Sequence, residues 1–118
     1  MFAELIALLF ASRDYGHRAH LTTRSYAQHK ALNDFYSQLT DKIDTLIECY
    51  QGRNGIIDIP VAELDGQTEP VTALQAHLAM IEEVRGQAIP PSDSALNNIV
   101  DEVVTLYLQT LYKLKFLR

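Results

Sequence analysis

Five side chains combine types and spacings that could hold a metal ion: His17, His20, His29, Asp44 and Glu48. Imidazole nitrogen and carboxylate oxygen together suit Fe(II), Mn(II) or Zn(II). Asp44 and Glu48 lie one helical turn apart and can converge on one cation. His17 and His20 are also one turn apart, on an earlier segment. His29 and Asp44, however, are fifteen positions apart. At the rise of an α-helix that is roughly 22 Å along the axis, too far to share an ion within one chain. Two chains packed antiparallel about a two-fold axis would bring His29 of one against Asp44 and Glu48 of the other. Such a site is shared between subunits or does not exist, so this reading carries a homo-oligomer with it.

The elements that must position these residues are helices. The first runs from about Phe2 to His20, rich in Ala, Leu and Glu. After the break "LTTR", Ser25 and Gln28 form an S-x-x-Q capping box that starts a second helix. Leu32, Phe35, Leu39, Ile43, Leu46 and Tyr50 recur there at three- and four-residue steps, the mark of one buried face. His29, Asn33, Asp44 and Glu48 fall together on one flank of that face, and Gly52 and Gly55 are expected to end the helix. Residues 52 to 69 have no helical period and contain Pro60, so "IIDIPV" is expected to lie extended along the other elements. Pro70 suits the first turn of a third helix with the stripe Leu74, Leu78, Ile81 and Val84, closed by Gly86. Ser92 or Asp93 caps a fourth, with Leu96, Ile99, Val103, Tyr107, Leu111 and Leu114 inward.

Joints in the order short, long, short make the first pair a hairpin and let the long joint run the height of the molecule. That is the pattern of a ferritin-like four-helix bundle, all-α, with one non-helical crossover between helices 2 and 3. The 118 residues suit one domain with one core. A net charge of −5 argues against non-specific binding to nucleic acid, which needs Lys and Arg along the phosphates. A lone cysteine, Cys49, suits a reducing cytosol. "MFAELIALLFAS" is interrupted by Glu4 and preceded by no basic residue, so it reads as a core helix rather than a signal peptide or a membrane span.

His17, His29 twelve on, Asp44 fifteen further and Glu48 four after that have the spacing of a ferroxidase motif. In this the chain resembles the mini-ferritins called starvation-induced DNA-protecting proteins (Dps). The resemblance implies a ferritin-like bundle whose iron-oxidising centre takes histidines from one subunit and carboxylates from the next. "HLTTRSYAQHKALNDFY", "DTLIECYQG" and "TLYKLKFL" are also similar to small ferritin-like proteins of tailed bacteriophages, a group that brings no established activity. Some features depart from the mini-ferritin pattern. Asn33 stands where an aspartate is expected and is a poor ligand for iron. His20 competes with His17 as the first histidine. A helix in the crossover, a Lys-rich tail and paired E-x-x-H motifs are all missing.

Plainer readings stand beside these. Asp44 and Glu48 also suit a solvated helix flank, and His17 and His20 suit a helix C-terminus, where the dipole attracts imidazole. His77 reads as a packed structural residue, Cys49 as a small filler and the tyrosines as amphipathic core and interface groups. Three function classes remain: a protein that binds iron (alternatively manganese or zinc) and oxidises Fe(II), a metal-free ferritin-like structural or interaction protein, and an unrelated helical adaptor. Motifs for nucleophilic hydrolysis, phosphate loops and dinucleotides are absent.

Overall fold

The computed structural model describes residues 1–64 and 69–118. It contains α1 (Phe2–Thr22), α2 (Tyr26–Asn54), α3 (Pro70–Ala88) and α4 (Ser94–Phe116), with no strand among the described residues. Each of the last three helices begins on a side-chain cap. Ser25 Oγ accepts from the Gln28 N–H at 3.2 Å. Gln28 does not reach back to Ser25 as a reciprocal box would. Thr23 closes the circuit instead: its hydroxyl donates to Gln28 Oε1 at 2.7 Å and accepts from the Ser25 N–H at 3.1 Å. The Glu69 carboxylate caps α3, accepting from the N–H groups of Val71 and Thr72, and Pro70 follows at the first helical position. Of the two candidates before α4, Asp93 is the cap.

Two helices run past the glycines expected to stop them. α2 continues through Gly52 to Asn54 because its last turns are held from outside: Tyr50 stacks on Phe2, and Arg53 pairs with Asp93 at 3.0 Å. Gly55 makes the exit, at φ 91°, a conformation open mainly to glycine. α3 passes Gly86 because Ala88 and Ile89 are buried, while Arg85 reaches Asp101 at 2.8 Å. The non-helical connection therefore starts at residue 55, not 52. The part of the expected crossover at 65–68 lies outside the described residues.

The four helices form a bundle in which α1 packs on α2 and α3, and α4 packs on the same two. α1 and α2 are antiparallel, with Phe2 beside Tyr50 at one end and His20 beside His29 at the other. Arg85 against Asn97 and Arg53 against Asp93 set α4 antiparallel to both α3 and α2. α2 and α3 therefore run the same way across a diagonal, and the connection between them traverses the molecule. At 29 residues α2 is about 43 Å long, which is the longest dimension of the fold, 43 Å. The core is apolar and continuous, centred on Leu5, Leu32, Phe35, Leu74, Val103 and Tyr107.

The N-terminal half of α1 is buried nearly all round, Leu5 to Leu9 without a break. A helix needs cover on every side for that. α2 and α3 supply most of it, and residues 59–64 run beside α1, lining a cavity with α1 residues from Ala7 to Arg18. This explains the apolar opening of the chain. Among the described residues no helix is long and apolar enough to cross a membrane.

Gly16 marks a close approach of α1 to the Phe35 ring of α2. A Cβ there would sit 2.7 and 2.8 Å from two ring carbons of Phe35. That ring is fully buried and packed edge-on against Tyr107 at 4.9 Å, so it has little room to give. Gly16→Ala is expected to lower stability by about 1–2 kcal/mol, overpacking outweighing the gain in helix propensity. Gly86→Ala should raise it by about 0.5–1 kcal/mol, since nothing lies within 4 Å of its added Cβ. Urea unfolding of the two variants checks this, and equal signs would contradict it.

Candidate functional site

The tip of the α1–α2 hairpin gathers the three histidines of the first cluster. His20 Nδ1 lies 2.8 Å from the backbone carbonyl of His29, and His29 Nδ1 lies 2.8 Å from that of His20. A carbonyl can only accept, so both Nδ1 atoms carry the proton. The two rings stack at 3.9 Å, 20° apart, with His20 buried and His29 half-buried. This reciprocal lock also satisfies a carbonyl in the last turn of α1 that the helix itself leaves unpaired. His17 stacks on Tyr36 at 4.2 Å, and its ring lies 6.3 Å from that of His20. Tyr36 sits in turn 5.9 Å from the Arg13 guanidinium, which donates to Thr40 across the hairpin at 2.8 Å.

With Nδ1 occupied, Nε2 of each neutral ring keeps a lone pair. This is the arrangement of most metal-ligating histidines, whose second nitrogen is fixed by a carbonyl or carboxylate. The donor chemistry of His20 and His29 therefore fits a divalent transition metal. Asp44 and Glu48 are both exposed on the other half of α2. The structure thus brings His17, His20 and His29 together and leaves the two carboxylates apart from them. Among the described residues no three His, Cys, Asp or Glu side chains converge to hold an ion within one chain.

A second polar group sits in the core, where the sequence pattern shows only His77. Tyr107 Oη donates to Ser12 Oγ at 2.6 Å, and Ser12 Oγ lies 2.8 Å from His77 Nδ1. Ser12 has one proton and two acceptor sites, so it can accept from Tyr107 and still bond Nδ1 in either His77 tautomer. All three residues are buried, and they tie α1, α3 and α4 together. Burial pulls the His77 imidazole down to about 4 and pushes the Tyr107 phenol well above its ordinary range. Tyr15 meets the His77 ring edge-on, and burial together with the charge of Glu69 raises its phenol to about 12. Ser12 was legible only as a polar residue inside an apolar helix run; which helices it would face was not.

A family model described as a family of unknown function, DUF5856, matches residues 20–114. The chain is also 32% identical over 117 residues to a protein of Enterobacteria phage T4, described as an uncharacterized 14.6 kDa protein in the mobD-ri intergenic region. The match covers 94% of this chain and 85% of that relative. No solved structure matches it.

Proposed function

The chain belongs to the DUF5856 family and is similar to a phage protein, and from that premise we propose a single-domain, ferritin-like homo-oligomer that binds a divalent transition metal between subunits. Its donors are His29 with His17 or His20 of one chain and Asp44 and Glu48 of a neighbour. Iron is the ion favoured by the resemblance, held as substrate or cargo, with manganese and zinc compatible with the same donors. The observation that carries the reading is the His20–His29 lock, which presents Nε2 rather than Nδ1. The bundle's order supports the ferritin-like part, with α2 and α3 parallel across a diagonal and one long crossover. Exposed Ile56 and Val61, 86% and 95% accessible on that crossover, support burial against another subunit. The cytosol of an infected cell is the setting proposed.

The second reading is a metal-free interaction protein of the same fold. It is favoured by the lock itself, which stabilises the hairpin without any ion. Titration of Fe(II), Mn(II) and Zn(II) followed by calorimetry separates the two. Saturable binding is expected in the wild type, weakening on acidification because imidazolium cannot ligate. It should be lost in both His29→Ala and Glu48→Ala, although these positions lie far apart in one chain. Mixing the two variants should restore one intact site of two in each heterodimer. Thermal melts must show both variants folded, since His29 also belongs to the lock. No saturable binding in the wild type would leave the metal-free reading.

A further inference from the structure

The outward face of α4 carries Leu108, Tyr112 and Phe116 one turn apart, 53, 56 and 70% accessible. They lie opposite the side that buries Val100, Val103, Tyr107 and Leu111. Tyr112 and Phe116 touch each other, with ring centroids 6.0 Å apart. Charge is ordered about this apolar ridge. Asp101 and Glu102 lie before it, and Lys115 and Arg118 at its C-terminal end. Asp101 pairs with Arg85 within the chain yet keeps 63% of its side chain exposed. Asp101, Leu108 and Lys115 are spaced by seven, so they share one helix face two turns at a time.

We propose that this face is a docking surface for the same face of a second copy of the chain, antiparallel, with Leu108 on the two-fold axis. Exposed or half-buried residues of this face equidistant from Leu108 then meet. Asp101, seven before it, faces Lys115, seven after it, and Val104 faces Tyr112. A foreign partner would not require opposite charges placed symmetrically about an apolar centre; an isologous contact does. The molecule as a whole is polar in the same sense. Six of its ten lysines and arginines (Arg18, Arg24, Lys30, Lys113, Lys115 and Arg118) lie at the end formed by the α1–α2 joint and the close of α4. Arg13 and Lys42 lie near mid-height, and the two at the other end, Arg53 and Arg85, are already paired with Asp93 and Asp101. Antiparallel copies oppose unlike charges, whereas parallel copies would oppose like ones. This surface is distinct from the α2 contact above and does not depend on any metal.

The test is self-cross-linking of full-length chains in a Cys49→Ser background, under mild oxidation. Leu108→Cys is expected to form a disulfide-linked dimer, since copies of a residue on the axis approach within disulfide reach. Lys115→Cys, on the same face, should not link to itself, because its copies would stand roughly 21 Å apart. Its rate should fall about tenfold or more below that of Leu108→Cys. Mixed Asp101→Cys and Lys115→Cys chains should link to each other. Both positions are exposed, and thermal melts confirm that the variants fold. Linking of Lys115→Cys to itself as fast as Leu108→Cys would indicate a parallel or random contact and overturn the proposal. Failure of Leu108→Cys to link would overturn it too.

Discussion

Replacing Ser12 with alanine is expected to lower the unfolding free energy by about 2–5 kcal/mol, far more than one serine hydroxyl ordinarily contributes. The hydroxyl serves two buried groups at once: it accepts from Tyr107 at 2.6 Å and stands 2.8 Å from His77 Nδ1. Without it, the Tyr107 phenol and His77 Nδ1 both lose their partner in the dry core, each at about 1–3 kcal/mol. The cavity left by one oxygen is too small to hold a water in its place. Tyr107→Phe is a much milder change. It removes the donor together with its need for a partner and leaves Ser12 bonded to His77, so about 1 kcal/mol is expected. Urea unfolding followed by circular dichroism, with unchanged slopes, measures both. Equal losses in the two variants would show that the serine does not bridge the network.

Acid should weaken the fold through the same network. His77 takes up its proton near 6.5 in the unfolded chain and only at about 4 in the folded one, because burial penalises the imidazolium. Between those values the unfolded state binds more protons, so stability rises with pH across the window. It is fully present above 6.5, is lost as pH falls toward 4, and declines no further on this account below that. The gap corresponds to about 3 kcal/mol at most. His77 touches the Ser12 hydroxyl and the edge of Tyr15, and neither is an anion that would neutralise a cation. His77→Gln keeps a polar group of similar reach and cannot titrate. Its stability should be flatter between pH 6.5 and 4 than that of the wild type. Parallel curves for the two proteins would assign the acid sensitivity to other groups.

Local signals located the helices because each acts within one turn. The α2 stripe from Leu32 to Leu46 is buried as its period requires, and Ser25 caps where its type and spacing put it. Boundaries failed where a distant contact outweighed a local preference. The cost of Gly52 in a helix is about 1 kcal/mol relative to alanine, and the stacking of Tyr50 on Phe2 and the Arg53–Asp93 pair one turn on offset it. The stripe of α4 was legible to within a rotation. Val100 and Leu106 are buried, while Ile99 and Leu114 sit at the rim, because α4 meets two helices rather than one. For the candidate site, spacing along α2 showed that His29 and Asp44 cannot meet within a chain. It could not show that His20 and His29 hold each other's carbonyls, which depends on how the hairpin closes.

By itself the sequence determined four helices and the order of short and long joints, since period, caps and prolines act on their own neighbours. It also determined that any site joining His29 to Glu48 must be shared, because helical rise is invariant. Only the tertiary structure decided which polar groups go inside. Ser12, His77 and Tyr107 come from three helices and are far apart along the chain, and each is tolerable in the core solely because the other two are there. The same holds for charge. A net charge of −5 is a sum over the chain, whereas a partner meets charges by position. Antiparallel packing brings Arg18 of α1, Lys30 of α2 and Lys113 and Lys115 of α4 to one end of the bundle, a separation that no count along the sequence contains.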